Sequence, residues 1–198
     1  MNTLGATTIA TAVGPHLFWI TSRAAGIAAL ILSSASVCVG LSMGRRIKGL
    51  SGPDLRVTHE ALSLATLAAL LVHGLSLIGD AYLHPSLADV AIPFVSSYKT
   101  FWTSTGIIAF WALALLGLSY YARRRIGVQL WKKLHRFTAL AWILGIVHSL
   151  GEGTDAGQSW FLAMTAIAVI PPLILLATRW AGRTAPAAPR TARTTPSR

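Results

Sequence analysis

Charge is scarce in this chain, and acidic charge scarcest. Only 12% of its 198 residues are charged, against about a quarter in an ordinary soluble domain. Six residues are Asp or Glu and seventeen are Lys or Arg, while 54% are hydrophobic. So little polar surface excludes a water-soluble globule and indicates a membrane protein. Cysteine is nearly absent too. Cys38 stands alone inside an apolar run, which excludes an internal disulfide and a Cys-x-x-Cys-His attachment site for a c-type haem. Gly-rich phosphate-binding motifs are missing, so no flavin or NAD(P)H site is expected in these residues. No serine, cysteine or carboxylate arrangement points to hydrolytic or covalent chemistry. Met1 to Gly14 carries no basic n-region and the first apolar run is too long for a signal peptide, so no cleavable targeting segment is expected.

Long apolar runs are what the chain does have. A membrane-crossing helix needs about 20 predominantly apolar residues, and the pattern predicts five: roughly 20–43, 58–79, 104–122, 134–150 and 159–178. The formal charge of +11 lies in blocks between these runs, which speaks for topology and against nucleic-acid binding. One block holds Arg45, Arg46, Lys48 and Arg56; the next holds Arg123, Arg124, Arg125, Lys132 and Lys133, with Arg136 just beyond; the last holds Arg179, Arg183, Arg190, Arg193 and Arg198. The alternate loops hold Asp80, Asp89, Glu152 and Asp155 against Lys99 alone. By the positive-inside rule the basic segments are cytoplasmic, so the N-terminus is expected outside and the C-terminus inside. The expected fold is an all-α integral membrane helix bundle of five transmembrane helices, in a multi-pass cell-membrane protein, with the bacterial inner membrane as its place.

Residues 1–16 then form an extracytoplasmic segment, and 181–198, rich in Pro, Ala, Thr and Arg, a disordered basic cytoplasmic tail. Loop 80–103, with His84-Pro85, Pro93, Tyr98, Phe101 and Trp102, suits the membrane interface. Pro171-Pro172 is expected to kink the last span. Gly40 and Gly44 form a GxxxG pattern of little weight, since the pattern is common by chance.

Six histidines occur, and four fall in two spans: His59 and His73 in the second, His135 and His148 in the fourth. Those spans run parallel, so His59 is level with His135 and His73 with His148. Spacings of 14 and 13 residues separate the two levels by roughly 20 Å at a 1.5 Å rise per residue. Two b-type haems, each held by one imidazole from each helix, would stack across the bilayer in six-coordinate form. Fourteen residues return to within roughly 40° of the starting direction, whereas thirteen miss by roughly 140°. The fourth helix therefore needs a local irregularity, a tilt or an offset haem plane, with Gly145 as a candidate source of slack. Taken singly, His59 and His135 near helix ends read equally as interfacial or packing residues. His73 and His148 sit deep in apolar surroundings, where an ionisable group is costly and usually functional.

The 14 and 13 spacings on alternate helices resemble the ferric reductase-like transmembrane domain shared by NADPH oxidases, ferric-chelate reductases and the haem-binding subunit of the bacterial periplasmic methionine-sulfoxide reductase system. The resemblance covers about residues 17–180, with Ser22-Arg23-Ala24-Ala25-Gly26 at the first span and Pro93-Phe94-Val95-Ser96-Ser97-Tyr98 before the third. It implies that His59 and His135 ligate a cytoplasmic-side haem b and His73 and His148 an outer one, with Arg23 near a propionate. By chemistry alone Arg23 is equally a snorkelling interface anchor. Larger family members continue into flavin- and NADPH-binding domains. The resemblance thus makes this chain an oxidoreductase component whose electrons come from a separate flavoprotein or from quinone and leave to a ferric complex or an extracytoplasmic partner protein.

Outside the spans, His16, His84, Asp80, Asp89, Glu152 and Asp155 are either solvated loop residues, a weak cation site or a docking rim. Three functional readings remain open: a dihaem electron carrier of ferric reductase type, a quinone-linked haem subunit of a periplasmic oxidoreductase, and a haem-free transporter or proton channel with histidine relays.

Overall fold

A computed structural model describes residues 16–43 and 52–184, the side chains of 182–184 excepted. Among the described residues the chain is all helix: α1 (Leu17–Ser42), α2 (Gly52–Ile78), α3 (Leu87–Ala91), α4 (Thr100–Leu118), α5 (Arg123–Ile126), α6 (Val128–His135), α7 (Thr138–Glu152) and α8 (Ser159–Thr184). Four of these, α1, α2, α4 and α8, are long and apolar enough to cross a membrane. The reason lies in backbone satisfaction. With no water in hydrocarbon, every N–H must find a carbonyl within its own segment, which leaves an uninterrupted apolar run no alternative to helix.

The expected fourth span is where sequence and structure part. Residues 134–150 do not form one helix; α6 ends at His135 and α7 begins at Thr138. At the joint the Phe137 amide donates to the Leu134 carbonyl (2.9 Å) and the Ala139 amide to that of Arg136 (3.3 Å), both closing three-residue turns. The Thr138 hydroxyl takes the His135 carbonyl at 2.7 Å. Three-residue turns wind about 20° per residue faster than an α-helix. The overwinding turns His135 toward the phase of His148, making up part of the thirteen-residue deficit. Gly145, the expected source of slack, sits instead in unbroken α7. The remaining boundaries shift by a few residues, and Pro171 and Pro172 lie inside a continuous α8. Arg45, Arg46, Lys48, Gly44, the segment before His16 and the tail from 185 fall outside the described residues.

α1 packs lengthwise on α2 and also touches α8, while α4 packs on α7 and meets α6; α2, which carries His59 and His73, has no comparable backbone contact with α6 or α7, which carry His135 and His148. The core forms where α1, α7 and α8 meet, from Leu30, Trp142, Ile146, Phe161 and Val169. Trp142 is 1% exposed, and its indole N–H donates to the Ser34 hydroxyl at 3.1 Å. That hydroxyl in turn donates to the Leu30 carbonyl at 2.7 Å, so the buried polar atoms are paired. Outward faces stay apolar: Leu64, Leu71, Val72 and Leu75 on α2 and Ile167, Ile170 and Ile174 on α8 are exposed, as surfaces meeting lipid should be.

Between α2 and α4 the chain is held by short polar contacts. Asp80 accepts the amides of Tyr82 (2.7 Å) and Leu83 (3.0 Å). Ser86 and Asp89 form a reciprocal capping box at the start of α3, and these bonds hold the Asp89 carboxyl below the usual carboxylate range. His84 adopts a left-handed backbone (φ 43°) before Pro85, the conformation of a turn. The Ser104 hydroxyl takes the Phe94 amide at 2.8 Å, tying the loop to α4.

The Trp142–Ser34 contact yields a stability prediction. Trp142→Ala should cost roughly 3 kcal/mol, as expected for emptying a packed aromatic site. Ser34→Ala, which strands one indole N–H, should cost about 1 kcal/mol. Unfolding of the detergent-solubilised protein would measure both, and an equal effect of the two substitutions would contradict the packing described.

Candidate functional site: two levels of paired histidines

The four histidines His59, His73, His135 and His148 meet in the pairs that their spacing predicts. The His59 and His135 rings lie 6.1 Å apart between centroids with an interplanar angle of 87°. Those of His73 and His148 lie 6.2 Å apart at 74°. Along α2 the levels are separated by roughly 20 Å. One level lies toward the basic end of the bundle, near Arg56, Arg123 and Lys132; the other lies toward the acidic end, with Asp80, Asp89, Glu152 and Asp155 in the neighbouring turns.

Each ring is oriented from behind. His73 Nδ1 sits 2.8 Å from the Ser22 carbonyl and 3.1 Å from its hydroxyl, and that hydroxyl donates to the His73 carbonyl at 3.0 Å. His59 Nδ1 sits 2.9 Å from the Ser36 carbonyl and 3.0 Å from its hydroxyl, which also bonds the Ser63 hydroxyl at 2.8 Å. His148 Nδ1 sits 2.9 Å from the Trp102 carbonyl. A carbonyl can only accept, so in all three rings Nδ1 carries the proton and Nε2 keeps a free lone pair. Metal-ligating histidines are commonly fixed in this way. His135 differs. Its Nδ1 is buried and makes no hydrogen bond of full geometry among the described residues, although the Leu116 carbonyl is near enough to act as its backbone acceptor. Its ring is stacked instead on Trp131, at 5.0 Å and 27°.

Glycine provides the space. A Cβ added to Gly26 would lie 3.1 Å from His73 Nδ1, one on Gly40 3.0 Å from His59 Cε1, and one on Gly106 2.6 Å from His148 Nδ1. Each glycine follows the residue whose carbonyl holds the ring by four positions, one helical turn, as in Ser22 and Gly26, Ser36 and Gly40, and Trp102 and Gly106. These serines and glycines are site residues that the histidine spacing alone did not disclose. The repeat of Ser-x-x-x-Gly at fourteen residues in α1, matching the fourteen between the α2 histidines, was the available signal. Gly40, read first as part of a chance GxxxG, is a ring seat.

The arrangement fits a metal held between each pair. Two imidazole nitrogens each about 2 Å from one metal, with each ring centre roughly an ångström further back, put ring centroids about 6 Å apart. Among the described residues no group of three or more His, Cys, Asp or Glu side chains could hold a metal ion unaided, so each pair would supply two ligands and the rest would come from a bound group. A cavity of about 380 Å³ reaches the His59–His135 level and is lined by apolar side chains, by hydroxyls such as Ser36 and Ser63, and by Arg56, Arg123 and Lys132, with Glu60 the one acidic residue among the described lining residues, where it accepts the Tyr121 hydroxyl at 2.7 Å. That combination suits an apolar ring bearing carboxylates.

Arg23, beside Ser22, forms an ion pair with Asp155 through Nε and Nη2. Its guanidinium lies 5.0 Å from the Trp19 ring centroid and 6.0 Å from that of Trp160. The polar residues at the acidic end are dispersed among such local tasks, Asp80 and Asp89 in turns and Asp155 on Arg23, and do not gather into a cation site among the described residues.

The glycine seats make a prediction of their own. Gly106→Ala should destabilise the protein by about 1–3 kcal/mol through overpacking against His148. Gly117→Ala in the same helix, where an added Cβ meets nothing within 4 Å, should be neutral or stabilising. Detergent unfolding midpoints would compare them, and equal midpoints would remove the seat.

No curated protein and no solved structure matches the chain at a significant level. A family model described as Ferric reductase like transmembrane component matches residues 25–146, more than half of the chain. The matched stretch holds His59, His73 and His135 with Gly26, Gly40 and Gly106, while Arg23 and His148 lie just outside it. With its histidines paired across the bundle in this way, the chain belongs to the ferric reductase like transmembrane component family.

Proposed function

We propose that the chain is a dihaem b-type membrane cytochrome, a redox component that carries electrons between the two faces of the bilayer. Its family generally binds haem. The observation that carries the reading is the pair of ring separations, 6.1 and 6.2 Å, in rings of which three present Nε2 by committing Nδ1 to a carbonyl. In this reading His59 and His135 hold one haem and His73 and His148 the other. Bound between two imidazoles, haem supplies one-electron transfer with no open position at the iron. Arg56, Arg123 and Lys132 neutralise propionates at the basic end. Arg23 does so at the other end, through the Nη1 that its pair with Asp155 leaves available.

For topology we propose five crossings, with α6 and α7 together making the fourth. α7 alone spans about 22 Å at 1.5 Å per residue, short of a hydrocarbon core about 30 Å thick, and α6 extends it to the basic interface. The N-terminal segment 1–16 then lies outside, 17–180 forms the haem domain, and the basic tail 181–198 is cytoplasmic. The membrane is a bacterial inner membrane. Electrons enter from a cytoplasmic flavoprotein, or from quinone, and leave at the acidic end to a ferric complex or a partner protein. These 198 residues hold no Gly-rich phosphate-binding motif, so hydride chemistry belongs to something outside them.

The test is a reduced-minus-oxidised visible spectrum of the detergent-purified protein with haem counted per chain as the pyridine haemochrome. Two b-type haems are expected. His73→Ala or His148→Ala should leave one haem, His59→Ala or His135→Ala the other, and His16→Ala should leave both. Colourless protein after expression with ample haem would replace this reading with histidine-relayed transport, and unchanged spectra in the four variants would discard the ligand assignment.

A further inference from the structure

Three of the four imidazoles are held by one device. The carbonyls of Ser22 and Ser36 stand fourteen residues apart on α1 and meet His73 and His59, which stand fourteen apart on antiparallel α2. The same ruler runs along α4, where Trp102 and Leu116 are again fourteen apart. Their partners His148 and His135 are separated by only thirteen residues. With the Trp102 carbonyl matched to His148 at 2.9 Å, His135 falls one residue out of register with Leu116. The overwound joint at Arg136–Phe137 recovers rotation, and His135 Nδ1 meets the Leu116 carbonyl without completing a hydrogen bond of full geometry.

The seat is altered at the same place. Four residues beyond the carbonyl stand Gly26, Gly40 and Gly106 in the other three cases, but Tyr120 here. The Tyr120 ring packs on Trp131 at 5.8 Å between centroids, and Trp131 stacks on His135 at 5.0 Å. The Arg123 guanidinium covers the far face of this run, 3.9 Å from the Tyr120 centroid, and its Nη1 donates to the Tyr120 carbonyl at 2.8 Å. An aromatic stack thus stands where the other rings have a directional hydrogen bond. Stacking resists tilting of the ring but fixes its rotation and depth less sharply than an N–H aimed at a carbonyl.

We propose that the two haem positions are unequal by construction: the His59–His135 position is the labile one, and Trp131, backed by Tyr120 and Arg123, is the positioning residue that holds its weaker ligand in place. The inference rests on the dihaem reading and adds to it which haem leaves first and which side chains govern its release. His135 opens more often than its three counterparts because the Leu116 carbonyl holds its Nδ1 less directly than the carbonyls of Ser22, Ser36 and Trp102 hold theirs. The His73–His148 haem, gripped by two carbonyl-anchored rings, is the durable one.

Haem transfer from the detergent-solubilised holoprotein to excess apomyoglobin, followed in the Soret band, tests this. Haem per chain is counted first, so that a value below two sinks the dihaem reading separately. With two haems bound, transfer should occur in two phases of equal amplitude, their rates separated by about fivefold to tenfold, the factor that one hydrogen bond supports. His73→Ala protein, left with the labile haem, should transfer at the fast rate, and His59→Ala protein at the slow one. Trp131→Leu should speed the fast phase alone, and Gly106→Ala the slow phase alone. If Trp131→Leu does not assemble, Tyr120→Leu, which removes the ring packed on Trp131 and leaves Arg56, Arg123 and Lys132 in place, should speed the same phase by a smaller factor. A single phase from protein carrying two haems overturns the inference, as do equal rates in the two single-haem proteins or a Trp131 effect on the slow phase.

Discussion

The antiparallel register of α1 on α2 is the constraint on which the site depends. Two carbonyls and two histidines, each pair fourteen residues apart, can meet at both levels only if the helices pack in one alignment and remain straight between them. Slipping by one residue would strand two buried imidazole N–H groups at once, with no water at that depth to receive them. Packing in lipid lacks a hydrophobic drive between helices, so small residues and hydrogen-bonding side chains must supply it. Ser22, Gly26, Ser36 and Gly40 do this while also aiming the rings. The groups that join the helices are therefore the groups that prepare the histidines.

A second consequence is the gap. Because α1 carries α2 and α4 carries α7, the histidine-bearing helices need not touch, and the space between them is held open from outside. Rings 6.1 and 6.2 Å apart are too far for a hydrogen bond and suited to a shared metal. The walls around the His59–His135 level are mainly apolar, with hydroxyls behind the rings, and at the basic end Arg56, Arg123 and Lys132 stand against the carboxylate of Glu60. Burying a carboxylate-bearing macrocycle is favourable only when those charges are met.

The acidic end is held differently. Arg23 joins α1 to Asp155 in the connection before α8 and rests on Trp19 and Trp160. Lys99 reaches the carbonyls of Gly151 (3.5 Å) and Glu152 (3.4 Å) at the end of α7, a site for a cation at a helix C-terminus. These contacts brace the outer turns of α1, α4 and α7, from which the anchors of His73 and His148 project. Carboxylates that composition marks as a possible ligand set act there as braces and caps.

Sequence by itself determined the class, because a 12% charged chain with apolar runs near 20 residues has few other folds open to it. It determined the pairing of the histidines as well, since the helical rise converts residue number directly into depth. Periodicity reports position along one helix and says nothing about a neighbour's backbone. Hence the acceptors on Ser22, Ser36 and Trp102, the use of Gly26, Gly40 and Gly106 as ring seats, and the pairing of Arg23 with Asp155 were decided by tertiary structure, the Ser-x-x-x-Gly repeat of α1 gaining its meaning only when α2 packs against it. The break at Arg136–Phe137 was hidden for a related reason. Polarity falls there, from Lys132, Lys133, His135 and Arg136 to the apolar run after Thr138, but a change of polarity does not require a break in a helix, and no proline or glycine marks a turn whose shape answers to the spacing of two rings against α4. Where the chain crosses is a matter of composition; how each imidazole is held depends on which backbone atoms the packed helices bring to its far side.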